Sequence, residues 1–191
     1  MKAARPLHNR ILTAILPVFL ACALVAGPVW ADDSAKLNDL FARLPTADAA
    51  EAGRIEAEIR IIWSKSGSAA MDLLLKRGDQ AMALGNIPAA IEHFTALVDH
   101  DPGFVEGWNA RASAYYATGD IGPALADLNH VLLMDPRNFD AIAGLARILE
   151  ESGFEEKALQ AYRAAQAIHP HLAEVNDAIA RLSKSLEGQE L

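Results

Sequence analysis

The sequence predicts an all-α protein, a solenoid of antiparallel helix pairs, and two observations carry this prediction. The 191 residues are 52% apolar but only 6% aromatic, and no alternating run typical of strands interrupts the Ala- and Leu-rich chain. A 34-residue period then defines three units, 71–104, 105–138 and 139–172. Each unit carries one glycine, one alanine and one proline at fixed offsets: Gly85, Gly119, Gly153; Ala90, Ala124, Ala158; Pro102, Pro136, Pro170.

Each recurring residue has a physical role in a helix pair. The glycine is expected to end the first helix in a left-handed backbone conformation. Asn86 and Asp120 follow two of these glycines and are predicted to cap the second helix. The alanine lets the two helices approach closely, and the proline ends the second helix because its ring cannot extend one. Each unit is therefore predicted to form one helix–turn–helix pair.

This pattern resembles the tetratricopeptide repeat family. The unit 105–138 matches the family pattern best, with Trp108, Ala112, Tyr115, Ala124 and Pro136. The three units depart from it where the family has an aromatic residue, at Ala81, Leu128 and Leu149. The resemblance covers residues 71–172 and implies a right-handed superhelix of helix pairs whose concave face binds peptides or short helices of partner proteins.

Helices are predicted on both sides of the repeats. Residues 32–70 are interpreted as a divergent N-terminal cap, with a short helix in LNDLFARLP stopped by Pro45 and a longer one capped by Thr46 or Asp48. Arg60 falls where the repeat pattern has an aromatic residue, so this pair is out of phase with the others. Residues 173–191 are predicted to form a C-terminal capping helix with one apolar stripe: Val175, Ile179, Leu182 and Leu186.

The first 31 residues are predicted to be a secretory signal peptide, cleaved after Ala31. A basic start, a continuous apolar run and the segment VWA before DDSAK are its three parts. The mature protein is then expected in the periplasm or cell envelope. Retention as an anchor or lipidation at Cys22 stays open, although Phe19, Leu20 and Ala21 match a lipoprotein signal poorly.

Charge argues against nucleic acid as a partner. The whole chain carries a formal charge of −8, and removal of residues 1–31 leaves 14 basic and 25 acidic residues. Such a chain repels phosphate overall and lacks the basic patch typical of nucleic-acid binders. A protein or peptide partner is therefore favoured.

No motif predicts an enzyme, a cofactor or a metal site. The histidines of the mature chain lack zinc-binding helical spacing and are interpreted as solvated or partly buried: His93, His100, His130, His169 and His171. Paired acids such as Glu150 and Glu151 are expected on polar helix faces. The chain also lacks a glycine-rich phosphate loop and a nucleophile elbow, so a non-enzymatic protein is predicted.

The resemblance supplies candidate binding residues, because the first helix of each unit lines the concave face in the family. Mapped onto this chain, the candidate partner-binding groove consists of Asp79, Met82, Asn109, Ser113, Tyr116 and Arg147. This surface is mixed and mostly acidic, with Tyr116 and Met82 as apolar contacts. Asn109 is expected to bond a peptide backbone, and Arg147 to meet a carboxylate.

One family function is disfavoured by the same mapping. Members that hold chaperone C-terminal tails use Lys, Asn, Asn, Lys and Arg at fixed groove positions. This chain has Leu75, Asp79, Ala110, Asp140 and Gly144 there. A clamp for such tails is therefore not expected.

The sequence thus favours an exported, non-enzymatic adaptor or scaffold that binds a peptide or helix of a partner in its groove. The alternative is a membrane-tethered or self-associating structural subunit whose groove is filled by its own N-terminal helices. Residues 34–66 are long enough to do so.

Overall fold

The computed structural model describes residues 29–189, with side chains for 33–187. The helices in this part of the chain are α1 (Val29–Arg43), α2 (Ala49–Trp63), α3 (Ala69–Ala83), α4 (Ile87–His100), α5 (Val105–Thr118), α6 (Ile121–Met134), α7 (Phe139–Glu151), α8 (Glu155–Ile168) and α9 (Ala173–Gln189). A short 3-10 helix, Leu44–Thr46, follows α1. The predicted signal peptide and Cys22 lie outside the described residues, apart from the backbone of residues 29–31. The chain from Lys36 onwards forms one compact unit, and the packing described below is that of this unit.

The three predicted units form three antiparallel helix pairs, α3 with α4, α5 with α6 and α7 with α8, stacked in chain order. The predicted glycines follow the first helices with positive φ: +73° at Gly85 and +80° at both Gly119 and Gly153. This left-handed region strains any residue with a Cβ, which explains why glycine recurs every 34 residues along the chain. The recurring alanines are fully buried. The all-α solenoid is therefore confirmed.

Helix caps follow the sequence with one exception. The Asp48 carboxylate accepts a hydrogen bond from a backbone N–H of α2 at 2.8 Å, so Asp48 rather than Thr46 is the cap. Asn86 caps α4 as predicted. The prediction for Asp120 is wrong, because its side chain makes no cap bond and instead accepts from the Thr118 hydroxyl at 2.6 Å. The carboxylate that was expected to cap α6 is therefore hydrogen-bonded to a neighbouring hydroxyl instead.

A buried ion pair joins the two helices of the second repeat. The Arg111 guanidinium on α5 donates two hydrogen bonds to the Asp127 carboxylate on α6, at 2.7 and 2.9 Å. The side chains are only 13% and 5% exposed. The guanidinium also lies over the Trp108 ring, 4.9 Å from its centroid, which adds a cation–π contact to the ion pair.

The last helix, α9, covers the end of the array. Val175, Ala178 and Leu182 lie on its buried face and pack against Leu159 and Tyr162 of α8. Ile179 and Leu186 are partly buried beside them. An array of stacked repeats leaves an apolar face open at its end, and this one-sided helix removes it from water.

The N-terminal helices α1 and α2 precede the first repeat in the sequence but pack against the third repeat in the structure. Phe139, at the start of α7, is fully buried among Phe41 of α1 and Trp63 of α2, with ring centroids 6.5 and 5.0 Å away. Helix α1 also begins earlier than the stretch LNDLFARLP suggested, at Val29. Sequence phase alone placed this pair ahead of the first repeat, whereas its apolar side chains are buried beside the start of α7.

Candidate peptide-binding groove

The first helices of the repeats line one groove, as the sequence predicted. It has a volume of about 760 Å³, within the range of pockets that bind ligands. Helices α3, α5 and α7 form most of its lining, the floor reaches Phe94 and Leu128, and α2, α9 and the loop before α9 complete it. "The groove" below means this cavity and its lining, chiefly Glu56, Arg60, Asp79, Met82, Glu106, Asn109, Ser113, Tyr116, Asp140, Ala143, Arg147, His171 and Glu174.

All six candidate residues from the sequence lie on this lining. They are Asp79 and Met82 on α3, Asn109, Ser113 and Tyr116 on α5, and Arg147 on α7. The helical period puts them on one side of their helices, and the stacking of the pairs brings the three helices together. That these residues bind a partner stays a prediction.

Four of the six already have bonding partners within the chain. The Ser113 hydroxyl donates to the backbone carbonyl of Asn109 at 3.1 Å. The Arg147 guanidinium donates to Glu174 of α9 at 2.9 Å, and the Asn109 amide donates to Glu106 at 3.4 Å. The Tyr116 hydroxyl donates to Glu151, and this bond raises the pKa of Tyr116. Arg147 and Glu174 are largely exposed, so a partner's carboxylate competes there with a weak surface ion pair.

The groove holds carboxyl groups that are partly removed from water. Burial raises the pKa of Glu106 to about 7, and the neighbouring acids Asp140 and Asp79 add to the shift. Burial also raises the pKa of Asp79. For Asp140, burial outweighs the opposing effect of Arg60, and its pKa is raised as well. Negative charge is therefore costly in the empty groove.

We expect Glu106→Gln to stabilise the protein at pH 8 by about 2 kcal/mol, and to leave its stability unchanged near pH 4. The folded protein holds a proton on Glu106 up to about pH 7, against 4.5 for the ordinary carboxyl. The free energy of unfolding of the wild type therefore falls as pH rises between these values, and glutamine removes that loss. Urea unfolding at both pH values measures it, with the exposed Glu92→Gln as control. An equal difference between variant and wild type at both pH values would contradict the burial of Glu106.

Comparison with known proteins identifies the repeats. The sequence profile described as "Tetratricopeptide repeat" matches residues 75–129 and 109–173, about half of the chain. A TPR repeat-containing protein of Rhizobium etli is 32% identical over 154 residues, which are 80% of this chain and 76% of that protein. The chain belongs to the tetratricopeptide repeat family.

Solved tetratricopeptide structures share the fold. The Sgt2 TPR domain from Aspergillus fumigatus aligns with a TM-score of 0.60 and 21% identity, covering 64% of this chain and 83% of that one. The first TPR of Spaghetti (RPAP3), bound to the HSP90 peptide SRMEEVD, aligns with a TM-score of 0.58 and 21% identity, covering 61% of this chain and 93% of that one. At such identities the likeness concerns the helical architecture.

Helix α2 adds a wall to this tetratricopeptide groove. The sequence offered the N-terminal helices as a filling of the groove, but it did not predict which side chains hold α2 there. The Arg60 guanidinium donates to both oxygens of Asp140 at 2.7 and 2.8 Å, and also to Glu56 at 3.0 Å. Burial opposes ionisation of Glu56, but hydrogen bonds from His169 and Arg60 outweigh it and lower its pKa. The signal in the sequence was Arg60 itself, a charge where the repeat pattern has an aromatic residue.

His169 corrects the interpretation of the histidines as solvated or partly buried. It is only 1% exposed, and its ring lies 5.0 Å from Phe139. The backbone N–H of His171 donates to Nδ1, which leaves Nε2 to donate to Glu56 at 3.1 Å. His169 was missed because its carboxylate partner stands 113 residues away in the sequence.

Two kinds of feature are absent from the described residues. Between residues 29 and 189, no helix combines the length and the apolar character needed to cross a membrane. The same part of the chain contains no group of three or more potential metal ligands.

Proposed function

We propose that this protein is a non-enzymatic adaptor that holds a peptide or a helix of another protein in its groove. The observation that carries the proposal is the groove itself, about 760 Å³ and lined by the first helices of all three repeats. Its lining combines apolar surface, including Met82 and Phe94, with polar groups such as Ser113. Apolar contact area with a few polar groups is typical of sites that hold a segment in a defined orientation.

The tetratricopeptide fold supports a protein partner, since the Spaghetti domain with the same architecture carries a bound HSP90 peptide. The groove of this chain is suited to a different type of partner from the HSP90 peptide. The positions that clamp a chaperone tail by its carboxylates hold Asp79 and Asp140 here, and both acids lie in the groove. Leu75 and Ala110, at two more of these positions, are buried and carry no polar side chain. The groove therefore favours a segment other than an acidic chaperone tail.

We place the adaptor in the periplasm or cell envelope on the strength of the N-terminal pattern. A basic start, an apolar run and a small residue before the cleavage point favour export of residues 32–191. A protein isolated from the envelope fraction with Asp32 as its first residue supports this. Retention of residues 1–31, or a lipid on Cys22, supports the membrane-tethered alternative instead.

Helix α2 is relevant to the part of that alternative in which the chain's own N-terminal helices fill the groove. It lies along one side of the groove, contributes Glu56 and Arg60 to the lining, and leaves about 760 Å³ open. The groove is therefore narrowed by the chain's own N-terminal helices and still has room for a partner.

The groove is tested by cross-linked capture of partners with a blocked variant. Ser113→Trp with Ala143→Trp adds two indoles to α5 and α7 without changing charge. We expect partners captured by the wild type to be lost, because the indoles occupy the volume that the partner needs. The matched control, Asn129→Trp with Gln160→Trp, adds the same groups at exposed positions of α6 and α8 and is expected to retain them. Equal capture by all three proteins would move the binding surface away from the groove.

A further inference from the structure

Two acids in the groove form no ion pair with any basic side chain of the described residues, although the charge of Arg60 acts on one of them, Glu106. Among the described residues Asp79 makes no hydrogen bond or ion pair, and Glu106 accepts only the neutral Asn109 amide at 3.4 Å. A third acid beside them, Asp140, is held by Arg60 at 2.7 and 2.8 Å. The groove thus contains two carboxyl groups on neighbouring helices, α3 and α5, that a cation from outside would complement.

The charge of the whole lining also favours a cation as the ligand. It carries the acids Glu56, Asp79, Glu106, Asp140 and Glu174 but only two arginines, Arg60 and Arg147. Both arginines already bind acids of this set, at 2.7 to 3.0 Å. The net negative charge is therefore left at the α3–α5 side of the groove, next to the apolar side chains of Met82 and Phe94.

We propose that the groove binds a positively charged segment of a partner protein, with a lysine or arginine side chain meeting Asp79 and Glu106. This inference rests on the function proposed above and names the chemistry of the partner. A cation placed between the exposed carboxylate of Asp79 and the partly buried carboxylate of Glu106 gains charge-assisted hydrogen bonds and relieves the repulsion between them. An acidic segment meets unpaired negative charge there and is rejected.

Size and shape favour a protein segment over a small cation. The cavity, about 760 Å³, is far larger than an ion requires, and the described residues contain no group of three potential metal ligands. The apolar lining beside the acids, with Met82, Phe94 and Tyr116, offers surface to the aliphatic stem of lysine or arginine and to its neighbours in a chain. A polyamine is the remaining small cation, and the test includes spermidine for that reason.

The test is a selection of binders from a random library of 12-residue peptides on the protein as isolated from cells. We expect peptides enriched in lysine and arginine relative to the library. At pH 8, above the pKa of Glu106, a selected basic peptide is expected to bind Asp79→Asn, Glu106→Gln at least about tenfold more weakly than the wild type, because two charge-assisted bonds are lost. The matched control, Glu92→Gln with Glu156→Gln, removes the same charge from exposed positions of α4 and α8 and is expected to bind within about twofold of the wild type.

The outcomes separate this inference from the proposed function. Peptides that fail to bind the Trp-blocked groove, yet are not basic and bind the Asp79→Asn, Glu106→Gln variant normally, would overturn the inference and leave the groove as the binding site. Peptides that bind the blocked variant as well as the wild type, or a selection that yields none, would overturn both. Spermidine alone binding as tightly as the peptide would overturn the assignment to a protein segment.

Discussion

Replacing Phe139 with alanine is expected to lower the free energy of unfolding by about 3–5 kcal/mol. The ring is fully buried and meets Trp63, Phe41 and the ring of His169. Its removal leaves a cavity at the contact between the N-terminal helices and the third repeat. These contacts are tertiary, so α1 and α2 lose the apolar part of their contact with α7, whereas the bonds of Arg60 to Asp140 remain. Urea unfolding followed by circular dichroism measures the loss.

Phe154→Ala is the matched control for this variant. Phe154 lies just before α8 and is 53% exposed, so the same truncation is expected to change stability by less than about 1 kcal/mol. Limited proteolysis adds a second readout, since cleavage of Phe139→Ala is expected first in residues 36–66. A Phe139→Ala protein as stable as Phe154→Ala would show that α1 and α2 are not docked at the start of α7.

Arg111→Met is expected to destabilise the protein by about 3–5 kcal/mol, because it leaves the Asp127 carboxylate buried without a base. The side chain of Asp127 is 5% exposed and receives two hydrogen bonds from Arg111. Methionine keeps much of the volume of arginine, so the loss reports the stranded charge more than a cavity. The exposed Arg163→Met on α8 is the control and is expected to be near neutral.

A double variant tests the reason for that loss. Arg111→Met combined with Asp127→Leu removes both charges, and we expect it to recover most of the stability, since an apolar pair replaces a buried ion pair at little net change. Thermal or urea unfolding of the two single variants and the double variant gives the coupling between the residues. A double variant as unstable as the sum of the single variants would mean that the ion pair is not the source of the effect.

The features predicted correctly are those encoded within one 34-residue unit. The positive φ of Gly85, Gly119 and Gly153 follows from a local demand that only glycine meets without strain. The placement of Met82 and Tyr116 on one groove was implied by the resemblance to the repeat family, and the stacking of the helix pairs accounts for it. Local backbone geometry and nearest-neighbour packing are repeated along the chain, so a single sequence discloses them.

The features that were missed depend on residues far apart in the chain. Arg60 and Asp140 are 80 residues apart, and Glu56 and His169 are 113 apart, and nothing in either segment marks the other as its partner. The position of α2 follows from these bonds and from the burial of Trp63 against Phe139. The charge balance of the groove depends on them in turn, because Arg60 donates its hydrogen bonds to Asp140 and Glu56, and no base between residues 33 and 187 forms an ion pair with Asp79 or Glu106.

The claim that the groove is the binding surface is tested most directly by site-specific photo-cross-linking of the captured partner. A photoreactive phenylalanine analogue at Ser113, in the groove, is compared with the same analogue at Asn129, at an exposed position of α6. We predict that the analogue at position 113 forms a covalent bond to the partner and that the analogue at position 129 does not. Cross-links from Asn129 with none from Ser113, or cross-links from Ser113 only to the chain's own residues, would contradict the proposed function.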